Sequence, residues 1–208
     1  VMGSSDVGKT ALTTQFMTSE YMGHVDTAKA TESERTVSVV LDGEESMICF
    51  IDHADHKGAG LPRPADAYVI VYSLVDYHSL DVAVSLLRRL QRDESRDSTA
   101  VILVGNKSDI VRGREVPDGE ARKIAMKFGC KHIEVSAVLN HNIDELLVGT
   151  LRQIRLNKRA ADQGTRAHDA GCATSGGGCV QAAARGLIHK LLKKSNSGSK
   201  SCDNLMEP

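Results

Sequence analysis

The run Gly3-Ser4-Ser5-Asp6-Val7-Gly8-Lys9-Thr10 fits the pattern G-x-x-x-x-G-K-[ST] without a mismatch. Its residue types suit an anionic ligand. The glycines let the backbone wrap closely, so that successive N–H groups point inward at phosphate oxygens. Lys9 would meet the β- and γ-phosphates, and the Thr10 hydroxyl would ligate Mg²⁺. Ala11 continues this phosphate-binding segment into the helix that follows.

A second constellation, Asn106-Lys107-Ser108-Asp109, directly follows the apolar run Ala100–Gly105. A carboxylate at Asp109 can accept from both the ring N–H and the exocyclic amine of guanine. Adenine offers no donor at those positions, and an unpaired carboxylate discriminates strongly against it. Ser136-Ala137 would complete the pocket by aiming a backbone N–H at the guanine carbonyl. Asp52, after an apolar strand, is placed either to hold Mg²⁺ through water or to cap a helix. The ligands these residues imply are GTP or GDP with Mg²⁺.

These residues need elements to hold them. Thr36–Leu41 and Ser46–Ile51 read as strands joined by the hairpin signal Asp42-Gly43. Ala67–Leu74 and Ala100–Gly105 are continuous apolar runs of the kind buried on both faces of a sheet, and His132–Val135 reads as a further strand. Leu80, Val84, Leu87 and Leu90 recur at helical spacing; Ile124 and Phe128 mark a second helix, and Ile143 to Ile154 a third. Such alternation predicts an α/β fold, a mostly parallel central sheet with helices on both faces. Only Val1 and Met2 precede Gly3, so the expectation is that most of a first strand is missing.

The chain has 208 residues, 41% hydrophobic and 25% charged, with a net charge of −1. No global basic field draws it to nucleic acid, and no apolar run is long enough to span a membrane. Five cysteines (Cys49, Cys130, Cys172, Cys179, Cys202) at irregular spacing argue against a disulfide framework and fit a reducing cytosol. The expected organisation is a nucleotide-binding domain over 1–157, a disordered linker over 158–184, and a basic amphipathic tail over 185–208. The linker, rich in Ala, Gly, Ser, Asp and Gln, cannot bury enough surface to offset its ordering entropy. His168, Cys172 and Cys179 fit no zinc spacing.

Together the motifs resemble the small GTPases of the Ras superfamily from Gly3 to about Asn157, which implies the Ras-like P-loop fold and a GDP/GTP-binding protein. Two requirements for efficient turnover depart from that pattern. Asp52-His53-Ala54-Asp55-His56 stands where such proteins carry Asp-x-x-Gly-Gln, the glycine meeting the γ-phosphate and the glutamine placing water. Asp55 adds a like charge near the γ-phosphate, and the His56 imidazole is a poor geometric substitute for an amide. Ala30 lies where a Mg²⁺-closing threonine is expected, with Thr27 and Thr31 nearby but displaced. Slow hydrolysis is the expectation.

These departures resemble the RGK branch (Rad, Gem/Kir, Rem). The likeness is carried by Glu34–Val39, Ala67–Ser73, Val104–Val116, Asn140-His141-Asn142, Arg152–Leu156 and the tip Lys200-Ser201-Cys202-Asp203-Asn204-Leu205. Branch members usually have Trp after the aspartate; His53 stands there, and the chain contains no Trp. The resemblance implies inhibition of voltage-gated calcium channels through the channel β subunit, with Arg112, Leu139 and His141 at the contact surface. The alternative is a conventional Ras-like switch that turns over efficiently; a nucleotide-free scaffold conflicts with the complete set Lys9, Thr10, Asp52 and Asp109.

In the tail, Leu187, Ile188, Leu191 and Leu192 gather on one helical face beside Lys193 and Lys194. Such a helix reads as a ligand for calmodulin or an anionic membrane, or simply as a solubilising end. Six residues follow Cys202, a spacing that is no prenylation signal. Ser195, Ser197, Ser199 and Ser201 form a phosphorylation cluster that would cancel basic charge. The family resemblance adds 14-3-3 docking, although no arginine-led phosphoserine motif is present. The expected location is cytoplasmic, peripheral at the inner face of the plasma membrane.

Overall fold

The computed structural model describes residues 1–18, 34–52, 64–93, 99–169 and 205. Strands β1 (Glu34–Leu41) and β2 (Glu44–Ile51) form an antiparallel hairpin with Leu41 opposite Glu44, turned by Asp42 and Gly43 at positive φ. Each strand starts two residues earlier than its β-branched run predicts, at Glu34 and Glu44, because charged ends remain in solvent while the ladder extends.

Strands β3 (Ala67–Ser73), β4 (Ala100–Asn106) and β5 (Lys131–Glu134) pair in parallel in that order. Val1 and Met2 lie between the two sheets. Met2 N–H donates to Val69 O at 2.9 Å and Met2 O accepts from Val71 N–H at 2.8 Å, while the Val1 amine donates to Ile51 O at 2.7 Å.

Alternation along β3 divides the core. Val69 and Val71 face a layer with Leu12 and Phe16 of α1 (Lys9–Thr18) and Ile143, Leu146, Leu147 and Leu151 of α4 (Ile143–Asp169). Tyr68, Ile70 and Tyr72 face the other layer, with Leu80, Ala83, Leu86, Leu87 and Leu90 of α2 (Tyr77–Gln91). Helix α3 (Glu120–Phe128) contributes Ala121 and Ala125 to that layer as its fully buried residues, with Ile124 and Phe128 at the margin. Small side chains there let α3 approach closely, which a search for large apolar residues does not reveal. The architecture is the expected one: a parallel sheet with helices on both faces.

Helix starts and stops follow local chemistry. Asp76 caps α2, its side chain accepting from Ser79 N–H at 3.3 Å. Gly129, at φ 65°, ends α3 in the left-handed conformation glycine tolerates.

Helix α4 continues to Asp169, which corrects the expected start of a linker at residue 158. Arg159, Ala160 and Ala161 are good helix formers, and a helix already nucleated by the buried face before them propagates through them. Arg155 of α4 grips the hairpin, donating to Leu41 O at 3.0 Å, Glu44 O at 3.3 Å and Ser46 Oγ at 2.7 Å. Among the described residues no helix is long and apolar enough to cross a membrane.

Candidate nucleotide-binding site

The phosphate loop leaves the core at Met2 and enters α1 at Lys9. Gly3 sits at φ 144°, and a Cβ there would lie 2.1 Å from Val71 O, so only glycine fits against β3. Gly8, at φ 94°, is as constrained: its Cβ would meet Asn106 Nδ2 at 2.4 Å. Ser5 and Asp6 are exposed at the turn, Asp6 at φ 60°, whereas Val7 is buried as the loop's apolar anchor. Lys9 Nζ arches back over the loop, donating to Gly3 O at 2.7 Å and Ser4 O at 2.6 Å. This holds the ammonium against the phosphate loop, where phosphate charge would be met. Ala11 is exposed on the first turn of α1.

Thr10 Oγ1 donates to Asp52 Oδ2 at 2.9 Å, bringing together the two residues expected to serve a metal. Asp52 Oδ1 is buried with no partner among the described residues, as is Ser4 Oγ. An orphaned carboxylate oxygen beside a hydroxyl is a donor set suited to a hard divalent cation and its waters, so the residues fit Mg²⁺. The residues that Asp52 would cap in its alternative role lie outside the described ones.

Asn106 ties the phosphate loop to the base loops. It is buried at the end of β4; Nδ2 donates to Val7 O at 2.8 Å, and Oδ1 accepts from Ala137 N–H at 3.2 Å. Lys107 turns at φ 67° and is half-buried. Asp109 is half-buried, its Oδ1 accepting from Ser136 Oγ at 2.6 Å. Ser136 Oγ also accepts from Leu139 N–H at 3.1 Å. The expected base-recognition residues thus form one connected set. Of the two backbone N–H groups of Ser136-Ala137, that of Ala137 donates to Asn106 Oδ1 at 3.2 Å and that of Ser136 to His141 O at 3.2 Å.

Three supporting side chains were not anticipated. Arg35 of β1 donates to Thr10 O at 3.2 Å, to Thr13 Oγ1 at 3.3 Å and to Thr14 Oγ1, pinning the hairpin to the first turns of α1. Arg114 makes a two-pronged contact with Glu134 at 2.9 and 2.6 Å and donates from Nε to Val116 O, bracing the segment after β4. The Glu134 hydrogen bond holds the guanidinium above its usual pKa. Tyr72 lies under Gly105, where an added Cβ would meet its hydroxyl at 2.6 Å, and its OH is 3.1 Å from His132 Nε2. Burial, with Glu134 nearby, pushes the Tyr72 phenol well above its ordinary pKa. None of these long-range pairings leaves a local spacing signal.

Arg112 is exposed on a 3₁₀ turn (Val111–Gly113) after β4. Leu139 and His141 are exposed on the loop after β5, which is closed by mutual backbone bonds between Ser136 and His141 at 3.2 and 3.0 Å. Both loops leave the carboxyl ends of their strands. Ala30, Asp55 and His56 lie outside the described residues, as do Leu187, Ile188, Leu191, Leu192, Lys193, Lys194 and Cys202.

A phosphate loop opening the first helix, a guanine-type loop after β4 and Asn106 joining the two define a nucleotide-binding P-loop domain. The sequence pattern of the Ras family matches residues 1–156, and the chain belongs to that family. Within it the chain falls in the RGK branch. It is 40% identical to human GTP-binding protein RAD over 171 residues, covering 80% of this chain and 54% of that protein. It is 36% identical to mouse GTP-binding protein GEM over 172 residues, covering 80% and 58%. It is 37% identical to human GTP-binding protein REM 1 over 166 residues, covering 76% and 55%. The chain thus spans about half the length of the curated relatives it matches.

Proposed function

We propose that this chain binds GTP and GDP with Mg²⁺ and acts as a regulator of the RGK type, inhibiting voltage-gated calcium channels through the channel β subunit while hydrolysing GTP slowly. The observation that carries this reading is the placement of Arg112, Leu139 and His141. All three are exposed, on loops that the Ser136–Asp109 hydrogen bond ties to the base-recognition set. A partner contacting them would sit beside the nucleotide without entering its pocket. Slow hydrolysis rests on Asp55 and His56 in place of Gly-Gln and on Ala30 in place of threonine.

The basic tail supports calmodulin and anionic-membrane binding, with 14-3-3 as a further partner and a peripheral location at the inner face of the plasma membrane. A conventional switch with efficient turnover is the second reading, favoured by the complete phosphate loop. Pull-down of the β subunit by a variant carrying Arg112→Ala, Leu139→Ala and His141→Ala tests the first. Retention should fall at least roughly tenfold, as expected when interface anchors are truncated; undiminished binding would dispose of the assignment. Single-turnover hydrolysis at the rate of ordinary Ras proteins would favour the second.

A further inference from the structure

Leu205 is separated in sequence from α4 by residues 170–204, yet its side chain is fully buried in the layer that contains α1 and α4. Its receptor is specific in two ways. Gly149 of α4 leaves a notch: a Cβ there would lie 2.5 Å from Leu205 Cβ, 3.0 Å from Cδ1 and 3.2 Å from Cγ. One turn on, buried Gln153 donates from Nε2 to Leu205 O at 2.7 Å. The notch therefore reads an aliphatic side chain and the main-chain carbonyl of the same residue.

Glycine is otherwise a poor choice here. Gly149 lies inside a long helix, where it costs backbone entropy that alanine would not. A gap opened at that cost and filled by a residue from the far end of the chain points to a docking site. We propose that the Gly149–Gln153 notch is a receptor for the chain's own C-terminal segment, and that Leu205 is the clasp that fixes the far end of residues 170–204 to the Ras-family core. The covalent tether supplies a high effective concentration, so one buried side chain and one hydrogen bond suffice to keep the clasp closed.

Gly149→Ala in the full chain separates this from a passive tail. Helix propensity alone predicts that alanine raises the melting temperature by roughly 2–4 °C. Docking predicts the opposite sign, because the new methyl expels Leu205. Leu205→Ala should lower the melting temperature by roughly 5 °C or more. In the Leu205→Ala background, Gly149→Ala should regain its stabilising sign, giving a non-additive cycle. Amide exchange in the terminal peptide should also accelerate by roughly tenfold or more in Gly149→Ala, while β3 and β4 stay protected. A higher melting temperature for Gly149→Ala in both backgrounds, with unchanged terminal exchange, would overturn the proposal.

Discussion

Asn106 Nδ2 donates to the Val7 carbonyl at 2.8 Å across 99 residues of sequence, so one buried amide holds the phosphate loop and the base loops in register. Its carbonyl takes the Ala137 N–H in the same stroke. The loops expected to recognise base and phosphate are thereby joined through one buried side chain.

Asn106→Ala removes both bonds and strands the Val7 carbonyl and the Ala137 N–H in a buried setting. At about 1–1.5 kcal/mol for each bond, with a further penalty for the unpaired groups, the expected loss is roughly 2–4 kcal/mol. Titration with a fluorescent GDP analogue should show affinity lowered by roughly 30-fold or more, since 1.4 kcal/mol is about tenfold. Unchanged affinity would mean that the two loops are set independently.

Two glycines at positive φ should respond very differently to alanine. At Gly3 the new Cβ would stand 2.1 Å from the backbone oxygen of Val71, which cannot yield without breaking β3. At Gly43, φ 79°, nothing lies within 4 Å. Gly43→Ala should cost only the left-handed strain, about 1–2 kcal/mol. Gly3→Ala should fail to give a cooperative transition in urea. Similar midpoints for the two variants would contradict the close approach of the phosphate loop to β3.

Tyr72 sets an alkaline limit. Burial raises its folded pKa above the ordinary value of 10.0, so the fold favours the neutral phenol. Its stabilising contribution is complete below about pH 10, where the unfolded phenol is also neutral. As pH rises above that value the unfolded chain ionises first, and stability falls. Tyr72→Phe should flatten this decline between about pH 10 and 11 while losing about 1 kcal/mol at pH 7 from the contact with His132. Urea midpoints across that range measure it; parallel alkaline limbs would exclude Tyr72 as the cause.

Much of this arrangement was legible in the sequence because it is local. The phosphate loop depends on residues a few positions apart, and β3 and β4 declare themselves as apolar runs. Asp109 and Ser136 could be named for the same reason, each standing at the end of a strand that periodicity locates. What escaped was built by long polar side chains that cross between elements. Arg35 reaching Thr10 and Arg155 reaching Leu41 leave no periodic trace, since a flexible arginine on a strand or helix reads as solvated surface. The same holds for Leu205, one of few apolar residues in a polar tip, whose burial depends on a glycine in a distant helix.

Arg155 carries one further consequence. Sliding the β1–β2 hairpin along α4 by even one residue would tear the guanidinium from Leu41 O, Glu44 O and Ser46 Oγ together. It would also pull Val37, Val39, Ile48 and Phe50 off their seats in the core. The hairpin is therefore a fixed strut rather than a piston. Among the described residues it is held at its turn by Arg155 on Leu41 O and at its far end by the Val1 amine on Ile51 O.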